Sequence, residues 1–423
     1  MPPVLREITR CRVCGSFALA RVLDLGRQSL TGRFPRPQDP DPMAGPLELA
    51  LCSDQAQGSC GLLQLAHSYP PQEMYGPTYG YRSSNNHTMV AHLSAKIANL
   101  IRIARPKKGE RVLDIGSNDG TTLKLYDGLG LARYGMDPSS ARYAAEYPAD
   151  ATLIVDFFSA ERLRREAGEV RFRIITSIAM VYDLEDPLAF MREAASLLDV
   201  DGVWELEQSY MPLMLERCAY DSVCHEHISY FRLRQIKWMT DASGLKIVDI
   251  GMNDINGGSF SVVIARKDAA YPEASAQIAA LLERERRDGY DTPAPYEKFA
   301  AAVAAHRAAL RAFLDTARAQ RKLVIGYGAS TKGNVVLQYC GIGPGDMPWI
   351  AEKYPFKFGL VTPGTRIPIV SEDEAKAMNP AYLLVLPWYF RDEIVRREQA
   401  WVDGGGSLVF VLPAIETLAK RAR

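Results

Sequence analysis

The 423-residue sequence contains no run of about 18 apolar residues, the length a helix needs to cross a bilayer. Its first residues, MPPVLREITRC, lack the apolar stretch of a secretion signal. Both absences lead us to expect no membrane association and a cytoplasmic location. Neither sign of charge is in excess, since 50 Lys and Arg balance 50 Asp and Glu. Proteins that grip nucleic acid draw much of their affinity from phosphate contacts and usually carry a basic surplus. A nucleic-acid partner is therefore not expected, which sets a zinc-containing RNA-modifying protein last among the readings. Histidine is scarce, with six in the chain. Short-period repeats and low-complexity tracts are missing too.

What is present is ordinary globular composition, 47% hydrophobic and 24% charged. A chain this long exceeds one hydrophobic core, so two or three domains are expected. Four stretches separate by pattern. Residues 1–90 read as loop-rich, with prolines in RFPRPQDPDP and four of the seven cysteines. Residues 91–268 alternate strand and helix. The runs RVLDIG, RFRIITSIAM, GVWELEQ and SFSVVIARK are short and apolar, as buried parallel strands are. Residues 269–320 form a connector of one or two helices, rich in Ala, Glu and Arg, with Ile278, Leu281 and Leu282 three to four apart. Residues 321–423 resume the alternation with KLVIGYG, AYLLVLPWYF and GSLVFVLP. The fold class is α/β.

The segment VLDIGSNDGTTL, residues 112–123, reads as a strand, a tight turn and a helix start. Asp114 lies at the strand end, and Gly116 and Gly120 flank the turn around Asn118, where backbone must approach a ligand closely. About 20 residues on, YGMDPS ends a second strand at Asp137, a position suited to a ribose diol. Any Rossmann-like turn shares some of this, but the D-x-G-x-x-x-G form is not the dinucleotide G-x-G-x-x-G. It resembles the first motif of class I methyltransferases, with Asp137 as their second acidic position. The resemblance implies S-adenosylmethionine as cofactor and makes Asp156, in VDFFSAE, a candidate for the adenine amino group; a plain strand end is the alternative.

Cys11-Arg-Val-Cys14 is a C-x2-C knuckle, and Cys52 and Cys60 follow as a wider C-x7-C. Two thiolate pairs suit a tetrahedral zinc that staples a segment with little core of its own. Four cysteine ligands leave no open position, so such a zinc is structural. The alternative is four unrelated buried thiols.

Further along, VIGYGASTKGN (324–334) reads as strand, glycine turn and helix. Gly328, Ser330, Thr331 and Lys332 offer backbone amides, hydroxyls and a cation to a phosphate. It is not a Walker loop, and an ordinary support turn is the alternative.

Taken in order, CRVCG, LDLGRQSLTGRF, MYGPTYGYRSSNN, VLDIGSNDGTTL, CHEHISYF, VIGYGASTKGN, LQYCGIGP and TPGTRIPI resemble the sugar C-methyltransferases of bacterial deoxysugar pathways. The resemblance implies a zinc-binding domain (1–90), a class I methyltransferase domain (91–268), the helical connector and a C-terminal Rossmann-like domain (321–423). It also implies a nucleotide-linked 4-keto sugar as substrate, methylated at C3.

Methylating carbon requires a base to remove the proton beside the ketone and a group to hold the enolate oxygen. His225-Glu226-His227 is the densest titratable cluster in the chain. The family's Glu-His pair maps to Glu226 and His227, with His227 as base. An extended backbone here points His225 and His227 alike and Glu226 away, and a metal role lacks a third ligand. Tyr79 and Tyr81 resemble family tyrosines that line the active site. Tyr182 falls where the family can carry a histidine, which puts the second active-site group in question. An O- or N-methyltransferase, with His227 acting on a hydroxyl or amine, remains the alternative.

Overall fold

The computed structural model describes residues 5–52, 59–75, 82–85 and 87–420. Tyr79 and Tyr81 lie outside the described residues.

A seven-stranded sheet runs in the order Leu245–Asn253, Ser259–Arg266, Leu198–Ser209, Phe172–Ile178, Arg111–Ile115, Ala132–Met136, Thr152–Ile154. Ser259–Arg266 is antiparallel to both neighbours. This corrects the sequence reading of SFSVVIARK as a parallel strand: burial on both faces makes it apolar whichever way it runs. Helix His87–Ala104 covers one face, burying Met89, Leu93, Ile97, Leu100 and Ala104, three or four residues apart.

The C-terminal sheet has six strands, ordered Ile369–Ser371, Ile350–Glu352, Val324–Tyr327, Tyr382–Val385, Ser407–Phe410, Glu416–Ala419. The first five are parallel and the last is antiparallel. Two helices, Ser275–Arg287 and Ala294–Ala319, stand between the two sheets in sequence.

Residues 1–90 hold more regular structure than their prolines suggest. Leu19–Ser29 and Ala44–Cys52 pair antiparallel, and Leu63–Leu65 extends the sheet. In LARVLDLGRQS, Leu23 and Leu25 point inward while Asp24 and Gly26 are exposed, the alternation of a half-buried strand. The fourth strand, Ser229–Tyr230, comes from just after the HEH tripeptide. That tripeptide therefore sits where the chain leaves the seven-stranded sheet to complete the N-terminal one. A single apolar core joins the N-terminal sheet, residues 218–230, the helix Ala294–Ala319 and the C-terminal sheet. Among the described residues, no helix is long and apolar enough to cross a membrane.

Candidate active site

The strand Arg111–Ile115 ends in a turn whose backbone is left-handed at Gly116, Asn118 and Gly120, with φ of 76°, 48° and 73°. A Cβ on Gly116 would lie 3.3 Å from Met180 Cγ, so any side chain there presses on Met180. Asp114 is buried and accepts a hydrogen bond from Thr176 Oγ1 at 2.6 Å. Burial pushes its pKa up to about 7. Asp137 accepts from the Asn118 amide at 2.9 Å and from Ser139 N and Oγ at 2.6 Å each. Among the described residues neither carboxyl has an ion-pair partner. Two buried acids without ion-pair partners at adjoining strand ends fit an amino group and a ribose diol, both present in S-adenosylmethionine. Asp156 follows the third strand, exposed, between the exposed side chains of Val155 and Phe157. Residues 82–85 are tied across this turn: Ser83 N donates to Asn118 Oδ1 and Ser84 N to Asp119 Oδ2, both at 3.0 Å, and Arg82 pairs with Asp119.

The HEH tripeptide is a turn, not a strand, because His227 N bonds back to Cys224 O at 3.1 Å. The two imidazoles consequently point apart, a correction to the alternation read from sequence. His225 is fully buried edge-on to Tyr69, at 4.6 Å between centroids, and among the described residues its ring nitrogens have no partner. Burial pushes its pKa down to about 4. Its ring lies against the N-terminal sheet, whereas that of His227 lies against Tyr182. His227 is half-buried against Tyr182, with centroids 4.4 Å apart. Its Nδ1 lies 3.0 Å from Ser222 O. A carbonyl only accepts, so Nδ1 carries the proton and Nε2 keeps its lone pair. Burial, followed by the Lys332 charge, pushes the His227 pKa down to about 3, leaving it neutral at neutral pH.

Glu226, which separates these histidines in sequence, is buried. Its Oε2 accepts from Thr31 Oγ1 at 3.4 Å, and Oε1 would lie 2.6 Å from a Cβ on Gly32. Burial raises its pKa. Thr31 and Gly32 escaped the sequence reading as site residues, although LTGRF was visible as a motif. Their contact with Glu226 spans 195 residues, and nothing local signals it. The same Gly32 Cβ position is 3.8 Å from Thr331 Oγ1, which brings the C-terminal turn against the HEH turn.

In that C-terminal turn Gly328 has φ 85° and would meet Pro387 at 2.7 Å with any Cβ. Ser330 Oγ is already used, accepting the Gly333 amide at 3.0 Å as helix cap. Lys332 Nζ donates to Asn256 O at 2.9 Å and lies 5.0 Å over the Tyr389 ring. Asn334 Nδ2 and Gln338 hold the 29–31 backbone from the same helix. The joining segment between the two chemistries is 179–183. Met180 faces Gly116, and Tyr182 faces His227 while its carbonyl takes the Ile228 amide at 2.9 Å.

Away from this cleft, the sulfurs of Cys11, Cys14, Cys52 and Cys60 lie within 4.8 Å of one another, with Cys11–Cys60 at 3.6 Å and Cys14–Cys52 at 3.5 Å. A tetrahedral zinc at about 2.3 Å from each sulfur requires about 3.8 Å between them, so the four thiols fit one ion. Among the described residues no other group of three or more His, Cys, Asp or Glu converges this way, the HEH turn included.

Three family models follow one another along the chain. A "Putative zinc binding domain" matches residues 11–75, a methyltransferase domain 86–250, and the C-methyltransferase C-terminal domain 254–413. The C-methyltransferase NovU of Streptomyces niveus is 29% identical over 418 residues, 98% of this chain and 97% of NovU. A ubiquinone biosynthesis O-methyltransferase of Azorhizobium caulinodans is 31% identical over 106 residues, 24% of this chain and 41% of that protein. Among solved structures, the plantazolicin methyltransferase BpumL in complex with SAH aligns at TM-score 0.35 and 14% identity, over 44% of this chain and 87% of that one. With a methyltransferase-domain match over its seven-stranded sheet, a four-cysteine cluster before it and a relative along nearly its whole length, this chain is an S-adenosylmethionine-dependent methyltransferase similar from end to end to the C-methyltransferase NovU.

Proposed function

We propose that this enzyme methylates C3, beside the ketone, of a nucleotide-linked 4-keto deoxysugar by way of an enolate. The observation that supports it is the 179–183 segment, whose Met180 packs on the cofactor turn and whose Tyr182 packs on His227. A base candidate thus adjoins the methyl-donor site. The sugar comes from the motif resemblance to deoxysugar C-methyltransferases.

S-adenosylmethionine, when bound, supplies an electrophilic methyl group. Asp114, Gly116, Asn118, Gly120, Asp137 and Asp156 are the residues that would hold it. His227 then takes the C3 proton on Nε2, its tautomer fixed by Ser222 O. A depressed pKa keeps this imidazole ready but makes it a weak base. Phosphates at Gly328–Lys332 offset the Lys332 charge and so raise its basicity once substrate is in place. Glu226, locked under Thr31 and Gly32, holds the turn that presents His227. Tyr79 and Tyr81 are assigned the enolate oxygen by resemblance alone. Zinc at Cys11, Cys14, Cys52 and Cys60 is structural in this reading.

The test is incubation with methyl-labelled cofactor and a panel of nucleotide-linked 4-keto sugars. A product carrying the label on C3 supports the reading. Label on oxygen or nitrogen, or on no member of the panel, contradicts it.

A further inference from the structure

Beyond strand Ile350–Glu352 the chain reads KYPFKF, residues 353–358, and there the usual burial is inverted. Lys357 turns inward, its side chain 14% exposed. Its Nζ donates to Ala329 O at 2.6 Å, lies 3.6 Å from Glu352 Oε2 and sits 4.8 Å over the Phe34 ring. Phe356 and Phe358, on either side of it, face solvent at 53% and 36% exposure. Water penalises exposed aromatic carbon and rewards an exposed ammonium, so folding alone favours the reverse. Phe356 is also backed: its ring stacks on Tyr354, with centroids 5.9 Å apart and planes at 25°, leaving its outer face open.

We propose that Tyr354 and Phe356 form the stacking platform for the base of a nucleoside diphosphate whose phosphates lie at Gly328–Lys332. This rests on the nucleotide-sugar reading above and adds the base subsite to it. Position supports it first. The platform lies just past the carboxyl end of a parallel strand, beside a glycine turn, where α/β sheets bind nucleotides. Proximity supports it next: Lys357 reaches the Ala329 carbonyl in that turn and lies 5.7 Å from the Phe356 ring, so one side chain spans turn and platform. Charge agrees, since the exposed Lys353 sits 5.5 Å over Tyr354 and complements an anionic ligand. The platform is also fixed to the cleft. Tyr354 Oη donates to Asn85 O at 3.0 Å, in the segment tied across the cofactor turn. Glu352 accepts the amides of Ala329, Lys353 and Tyr354 and sets the two loops against each other. An aromatic face accepts every base, so the platform holds the base without choosing it.

The experiment is calorimetric titration with TDP, UDP, GDP and inorganic pyrophosphate, in the presence of saturating S-adenosylhomocysteine. The parent should bind at least one nucleoside diphosphate tenfold or more tighter than pyrophosphate. Phe356→Ala, at an exposed position, should erase that margin while leaving pyrophosphate binding unchanged, and Phe356→Trp should keep it. A margin that survives in Phe356→Ala overturns the platform, as does a parent that binds pyrophosphate as tightly as any nucleoside diphosphate. A parent that binds none of the four removes the nucleotide-sugar reading itself, and the platform with it.

Discussion

Tyr182 and His227 meet edge to face with ring centroids 4.4 Å apart, although they belong to different turns of the chain. Two residues before Tyr182, Met180 packs over Gly116. One short segment therefore registers the cofactor turn against the imidazole that we assign as base.

Gly116 adopts a φ of 76°, which L-residues rarely take, and a side chain there would press on Met180. Gly116→Val should abolish S-adenosylhomocysteine binding in calorimetry, while the far-ultraviolet circular dichroism stays that of the parent. Affinity equal to the parent's would place the cofactor elsewhere.

Lys332 lowers the His227 pKa, acting after burial as the second cause. A positive neighbour disfavours imidazolium, so removing it favours protonation. In Lys332→Gln, His227 should titrate at higher pH than in the parent, moving toward its ordinary range near 6.5. The imidazole C2–H resonance of His227, followed by NMR from about pH 2 to 7 so that the parent's low midpoint is spanned, is the readout. Identical titration curves would break the electrostatic link between the C-terminal turn and the base.

Gly32 leaves room for the Glu226 carboxyl, because a Cβ there would lie 2.6 Å from Oε1. Gly32→Ala should lower kcat about tenfold, roughly 1.4 kcal/mol of barrier, with S-adenosylhomocysteine binding unaffected. Adding Glu226→Asp, which retracts the carboxyl by one methylene, should recover part of the loss. A single variant with parental kcat would show that the position of Glu226 is unimportant.

The four-sulfur cluster calls for one zinc per chain. Metal analysis of protein purified without added zinc should return one equivalent, and Cys11→Ser or Cys60→Ser should lower both metal content and thermal stability. Fully folded, metal-free protein would contradict the assignment.

Legibility in the sequence followed how local each feature is. The glycine turn after Arg111–Ile115 and the two buried acids Asp114 and Asp137 lie within 24 residues, so spacing and glycine placement made that turn legible. The cysteine pairs were equally plain, since few chemistries need two pairs of thiols. By contrast, Leu19–Ser29 and Ala44–Cys52 were hidden by the prolines between them, although Leu23 and Leu25 carry the alternation of a strand. The direction of Ser259–Arg266 could not be read, because pairing direction leaves no mark on an apolar run. In HEH, alternation suggested like-facing histidines. The hydrogen bond from His227 N to Cys224 O folds the tripeptide into a turn and separates them. Thr31 and Gly32 around Glu226, and Phe34 beneath Lys357, are contacts made only by the assembled sheets.

The central claim is methyl transfer to carbon through His227. The most direct measurement is NMR of the product formed from a nucleotide-linked 4-keto sugar and S-adenosylmethionine carrying a 13C methyl group, comparing the parent with His227→Asn. The account predicts a new methyl bonded to C3 in the parent, and no transfer by the variant even though titration shows that it binds both ligands. A methyl found on oxygen or nitrogen, or a His227→Asn variant that forms the same carbon–carbon bond at the parental rate, would contradict it.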